Sequence, residues 1–361
     1  MELTMPAADP HFWRAKRVLV TGHTGFKGSW LCLWLQSLGA RVHGLALAPS
    51  SRPSLFDEAR VGQRMSSTIG DIRDYGVVHR AIADCMPEVV IHLAAQSLVR
   101  TSYADPLLTY GTNVMGTVNL LEALRRTGCA RAVVNVTTDK CYENRDWPWG
   151  YRESDALGGR DPYSSSKACS EIVSSAYRRS FLGQGSIALA TARAGNVIGG
   201  GDWAADRLVP DVLGAFASGR PAVIRHPHAV RPWQHVLEPL SGYLRLAERL
   251  YVDGNRWADA WNFGPDEAEN CTVEWVVSRM ARTWGEDARW RPDEGSHPHE
   301  AARLKLDVSK ARAELDWRPR WRLMRALECT IAWHRAWLAR EDMRAVCLEQ
   351  IAEFDTSAET N

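Results

Sequence analysis

Along the first half of the chain, short apolar runs alternate with longer stretches whose apolar residues recur at helical spacing. Residues 17–21 (RVLVT), 41–47 (RVHGLAL), 89–93 (VVIHL), 132–136 (AVVNV) and 187–191 (IALAT) have strand length and near-continuous hydrophobicity. Strands buried on both faces read this way. Residues 30–38 carry the three-to-four spacing of a helix, and helical stretches separate the later runs. Strands and helices alternating at this pitch predict βαβ units, hence an α/β chain with a doubly wound parallel sheet. After about Asn196 the pattern changes. Glycines cluster at Gly199, Gly200 and Gly201, and shorter segments rich in Trp, Pro and Arg follow, with helices predicted at 239–251, 273–284 and 323–339. This half reads as a smaller mixed α/β lobe, partly interwoven with the first. The expected division is 1–195 and 196–361, and a cleft between two such lobes is a common small-molecule site. The last twenty residues are polar and are expected to be poorly ordered at their end.

Composition narrows the class. Of 361 residues, 45% are hydrophobic and 24% charged, and 44 Lys plus Arg against 43 Asp plus Glu leave a net charge of +1. That balance excludes a disordered chain, and no apolar run is long enough to span a membrane. It also gives no basis for nucleic acid or a membrane surface as partner. The eight cysteines form no CxxC pair, which predicts a reduced, cytoplasmic protein. Residues 1–11 carry neither an apolar signal core nor a basic transit pattern. His297 and His299 have no third ligand nearby, so no metal is expected. Only six lysines occur, and three of them, Lys27, Lys140 and Lys167, fall inside the motifs below.

Gly22, Gly25 and Gly28 follow the first strand and open a helix. Gly22 suits the tight turn, Gly25 the close approach of backbone to a pyrophosphate, and Gly28 close helix–strand packing, with the helix N-terminus facing the diphosphate. The acid usually found about 20 residues on, which binds a ribose 2′-hydroxyl, is missing from 47–52. Arg52 reads equally as a partner for a 2′-phosphate, so spacing alone leaves NAD and NADP open. Asp71 follows Gly70 in a turn beyond the next strand, where it either accepts from an adenine amino group or caps a helix.

Tyr163 and Lys167 stand four residues apart on one helical face. A cation beside a phenol favours the phenolate, lowering its pKa and making it a usable base for a substrate hydroxyl. The spacing alone is as compatible with a solvated helix face. Thr138, Asp139 and Lys140, however, come directly after the strand 132–136, at the end where open α/β sheets hold ligands. Thr138 can hydrogen-bond the same hydroxyl as Tyr163, and Asp139 can act as an acid. Lys140 can act as a base if burial near Lys167 lowers its pKa, or as an enolate stabiliser if it keeps its charge.

Together these motifs resemble the extended short-chain dehydrogenase/reductases. The strings at 21–31, 53–56, 95–100, 138–144, 159–167 and 231–235 are similar to the nucleotide-sugar dehydratases and epimerases of that family, and the likeness runs over 17–321. The resemblance implies a Rossmann fold and NAD as cofactor. It implies a lyase that oxidises CDP-glucose at C4, removes water across C5 and C6, and returns the hydride to C6. By the same resemblance the dinucleotide lies against Gly22, Thr24, Gly25, Phe26, Lys27, Gly28, Asp71, Ile72, Leu93, Ala94 and Ala95, with Tyr163 and Lys167. Catalysis falls to Thr138, Asp139, Lys140, Tyr163 and Lys167, and the nucleotide sugar to Asn196, Arg207, Leu208, Arg231 and His235. The arginine fork suits phosphate oxygens. Relatives carry Glu where this chain has Lys140, which leaves the C5 base open between Lys140 and another group. Two other functions remain: a nucleotide-sugar 4-epimerase, which needs no Asp139–Lys140 pair, and a non-catalytic dinucleotide sensor, which needs none of the four polar groups together. Residues 107–124 and 163–181 are expected to pair across a two-fold axis as a four-helix bundle, making a homodimer or higher homo-oligomer.

Overall fold

Successive residues of a strand point to opposite faces, and in the central strands of this chain both sets are apolar. The computed structural model describes residues 7–183, 185–295 and 302–358. Its first half runs β1 (Arg17–Thr21), α1 (Phe26–Ser37), β2 (Arg41–Ala46), β3 (Ser66–Ile69), α2 (Tyr75–Cys85), β4 (Val89–His92), α3 (Gly116–Thr127), β5 (Ala132–Val136), α4 (Pro162–Tyr177) and β6 (Ala188–Ala194). The second half adds α5 (Leu208–Ala217), β7 (Ala222–Ile224), α6 (Leu237–Asp253), β8 (Ala260–Phe263), α7 (Val273–Trp284), β9 (Trp290–Pro292), α8 (Leu323–Leu338) and α9 (Met343–Thr356). Seven strands form one sheet in the order β8-β6-β5-β4-β1-β2-β3, every pair parallel. The order reverses between β1 and β4, which opens a crevice at their C-terminal ends.

Val18, Val20, Val89, Ile91 and Val134 face one core, shared with α1 and α6. Leu19, Val90 and Val133 face the other, shared with α2 and α3. Two apolar faces require helices on both sides of the sheet, which is the doubly wound arrangement. A third core, containing Val209, Phe216, Val276, Met280 and Leu327, holds the second lobe together. The chain nevertheless returns to the main sheet, since β8 pairs with β6 and α6 packs on β5 and β6.

Of the last twenty residues, expected to be poorly ordered at their end, 359–361 lie outside the described residues, and most of the rest form α9. Asp342 caps α9, and Met343, Cys347, Ile351 and Phe354 are buried in the main core. These positions make a helical stripe, four, four and three residues apart, which the polar composition of the tail conceals. Residues 107–124 are not one helix either: Pro106–Tyr110 and a π-helical turn at Gly111–Met115 precede α3. His297 and His299 lie outside the described residues, and so do residues 1–6. Among the described residues, no helix is long and apolar enough to cross a membrane.

Candidate active site

The glycine loop shapes one wall of a cleft of about 1150 Å³ that runs between the lobes. Gly22 turns with φ +77°, and a Cβ there would meet the Ala94 nitrogen at 2.7 Å. A Cβ on Gly28 would meet the Gly22 carbonyl oxygen at 2.1 Å, so the first turn of α1 sits directly on the loop. Gly25 is exposed, with only the Gly22 oxygen near its missing Cβ. Free N–H groups at the start of α1 and this open floor fit a diphosphate. The residues present therefore suit a dinucleotide.

At the outer end of that wall the cleft is lined by Leu47, Ala48, Ser50, Ser51, Asp71 and Ile72. Arg52 is exposed beside Ser51 and is not itself part of this lining. Asp71 accepts from Arg73, whose hydrogen bonds hold its carboxyl below the ordinary value. It does not cap α2, because Asp74 does. Thr24 lines the wall and donates to the Leu47 carbonyl, and Phe26, Lys27, Leu93, Ala94 and Ala95 complete it.

The reactive groups meet at the middle of the cleft. Asp161 caps α4 and Pro162 opens it, so Tyr163 and Lys167 fall on its first turns. The end of β5 delivers Thr138, Asp139 and Lys140, and all five residues line the cleft. Burial pushes the Tyr163 phenol up to about 12, opposed by a hydrogen bond with Thr138 and by the charge of Arg207. The expected lowering by Lys167 is not found, because the Lys167 ammonium donates to the Val136 carbonyl at 3.1 Å. Burial lowers Lys167 itself to about 8, with Glu171 and Cys141 opposing.

Asp139 is 2% exposed and accepts from the Thr138 hydroxyl at 3.0 Å, while its second oxygen has no protein partner. Burial raises its pKa, against the charges of Lys140, Arg231 and Lys27, so the carboxyl takes up a proton more readily than an exposed one. The expectation of a buried Lys140 is also corrected, since Lys140 is only half-buried. Lys27 is lowered to about 7 by burial and by Arg207, with Asp139 opposing and Lys167 adding to the effect.

On the second lobe, Asn196, Arg207, Leu208 and Arg231 line the cleft. His235 does not. It is fully buried between the rings of Trp30 and Trp321, where burial lowers its pKa to about 3, so it packs the core and is corrected as a substrate contact. Sequence reading found Arg207 but not its partners Asp202 and Ser97, nor the pairing of Arg100. Arg207 donates to Asp202 at 2.9 Å and to Ser97 at 3.1 Å, and Arg100 pairs with Asp206 at 3.2 Å. It also missed Thr137 and Glu171 behind the site, although Glu171 follows Lys167 at helical spacing.

The chain as a whole is similar to known proteins. A CDP-glucose 4,6-dehydratase of Salmonella typhimurium is 53% identical over 351 residues, 96% of this chain and 98% of that protein. A dTDP-glucose 4,6-dehydratase of Streptomyces venezuelae, solved with NAD and TYD bound, has a TM-score of 0.76 at 25% identity, covering 91% of this chain and 99% of that one. An epimerase of Methanothermobacter thermautotrophicus shares the fold, with a TM-score of 0.81 at 22% identity over 92% and 97% of the two chains. The family model described as GDP-mannose 4,6 dehydratase matches residues 19–330. The chain belongs to that family, among the nucleotide-sugar dehydratases and epimerases of the short-chain dehydrogenase/reductases.

Proposed function

We propose that this chain is an NAD-dependent lyase converting CDP-glucose into CDP-4-keto-6-deoxyglucose and water. The carrying observation is 53% identity over nearly the whole of both chains to a CDP-glucose 4,6-dehydratase. The cleft supplies the chemistry that such a reaction needs. When bound, NAD supplies a two-electron acceptor that takes hydride from C4 and gives it back at C6, so it is not consumed. The C4 hydroxyl proton goes to Tyr163 as phenolate while the C4–H bond breaks; the charge of Arg207 and the hydrogen bond with Thr138 favour that phenolate against burial. The resulting C4 ketone makes the C5 proton removable, and Lys140 at the cleft wall takes it as the free amine. Asp139, whose pKa burial raises, gives its proton to the departing C6 hydroxyl, which leaves as water. A proton then returns to C5. Asn196, Arg207, Leu208 and Arg231 hold the nucleotide diphosphate, the two arginines as donor forks.

The chain also works as a homodimer in the cytoplasm on this reading. Support for the dimer comes from Leu107 (86% exposed), Ile172 (57%) and Phe181 (55%), apolar side chains on the two helical stretches that would pair. Incubation with CDP-glucose, other sugar nucleotides and NAD, followed by a scan for the alkali-induced absorbance of a 4-keto sugar, tests the activity. Formation of the C4 epimer alone would make the protein an epimerase, and no change in any sugar nucleotide would leave only dinucleotide binding. A monomeric mass at micromolar concentration would overturn the dimer.

A further inference from the structure

The reactive side chains stand on two elements, the end of β5 and the first turns of α4, and one buried carboxylate joins them. Glu171 lies on α4 one turn beyond Lys167 and is 4% exposed. Its Oε1 accepts from the Thr137 hydroxyl at 2.5 Å and from Arg193 Nε at 3.0 Å. Its Oε2 accepts from the Thr191 hydroxyl at 2.6 Å and from Arg193 Nη2 at 3.0 Å. Thr137 immediately precedes Thr138, and Lys167 is anchored one residue earlier, on the Val136 carbonyl. Arg193 continues the network to the Tyr142 hydroxyl at 2.9 Å, which donates to Asn262 on β8 at 2.7 Å.

A buried ion pair carries a large desolvation cost and is a poor source of stability. The sheet does not require this one, because backbone pairing already joins β5 to β6. What the four donors do fix is the position of α4 against the end of β5. Charge points the same way. Lys167 faces Glu171 from its own helix, Cys141 from the turn after β5, His92 from β4 and Lys27 from α1. Burial keeps the Cys141 thiol and the His92 ring neutral. Although burial alone would raise Glu171, Arg193 and the two threonines hold its carboxyl below the ordinary value, so it is the anion of this group. Cys141 and Arg178 also lie in its field.

We propose that Glu171 is a positioning residue for the reaction: through Thr137 it sets Thr138 against Tyr163, and its charge keeps Lys167 in the ammonium form. This rests on the proposed reaction only through the removal of hydrogen from C4. Thr137→Val and Thr191→Val each delete one hydroxyl from the same carboxylate, but only Thr137 adjoins the reacting groups. Thr137→Val should lower kcat roughly ten-fold with KM and NAD binding unchanged, since small misplacements cost large factors in rate. Thr191→Val should stay within about two-fold of the parent, as befits a contact on β6 remote from the substrate. In Glu171→Gln the Lys167 ammonium loses its counter-charge, so its titration should move down by about one pH unit. With six lysines in the chain, the Lys167 side-chain NMR signal can be followed without any substrate, and the alkaline limb of kcat should move with it. Equal kcat for the two threonine variants, or an unmoved Lys167 titration, overturns the proposal. If Glu171→Gln does not fold, the threonine pair decides alone. A parent protein inert toward every sugar nucleotide would refute the proposed function, while the Lys167 titration would still decide the role of Glu171.

Discussion

Gly195 carries no chemistry, yet its replacement by alanine should split the reaction in two. The glycine follows β6 and backs directly onto Asp139. A Cβ at this position would lie 1.7 Å from Asp139 Oδ2 and 2.1 Å from its Cγ. Ordinary contact needs a little over 3 Å, so the carboxyl must retreat by about 1.5 Å. Asp139 is buried and tethered to the Thr138 hydroxyl, so a retreat of that size strains or breaks this hydrogen bond. Overpacking of this kind costs about 1–3 kcal/mol, so the variant should fold with a lower melting temperature. A displacement of that size at a proton donor should slow departure of the C6 hydroxyl by roughly 10²-fold. Tyr163 keeps its place on α4, so removal of hydrogen from C4 continues. Stopped-flow mixing of the NAD-loaded variant with CDP-glucose should therefore show reduced nicotinamide accumulating in the near-ultraviolet. The 4-keto-6-deoxy product should lag behind it. Product formation within about three-fold of the parent, with no such accumulation, would refute the assignment of Asp139 as the acid.

Three further outcomes are expected. Tyr163→Phe should cut hydrogen removal from C4 by roughly 10²–10⁴ with NAD binding intact, as measured by single-turnover absorbance and equilibrium titration. Lys140→Met should still reduce the cofactor but exchange almost no solvent deuterium into C5; fast exchange would move the base role to another group or a water. Glu248→Gln tests pH-dependent stability. Glu248 accepts from the Asp9 N–H and from Trp13 Nε1, and burial raises its pKa from 4.5 to about 7. The folded state thus holds the proton more tightly than the unfolded one, so this contribution is complete below pH 4.5 and is lost as pH rises through 7. The parent should lose at most about 3 kcal/mol across that window, and the glutamine variant should lose none of it; parallel denaturation curves with pH would show the reasoning to be wrong.

Local pattern was enough for the α/β class, for the strands of the first half, and for the pairing of Tyr163 with Lys167, because these depend on periodicities of two and 3.6 within a short window. Thr138 and Asp139 were legible for a related reason: residues directly after a buried parallel strand emerge at the ligand-binding edge. The same reasoning failed wherever a property depends on distant chain. That Lys27 is desolvated beside Arg207 is decided by how the second lobe meets α1, and its neighbours in sequence do not carry that information. His235 belongs to a motif string but ends between Trp30 and Trp321, over 80 residues away in either direction. The phenol of Tyr163 is raised because it is buried, and Lys167 does not offset this because it turns toward β5, a contact set by the packing of α4. Spacing along one helix fixes which groups share a face, while their protonation depends on solvent exclusion and long-range charge. Those are properties of the assembled fold, and here they decide which group gives a proton and which takes one.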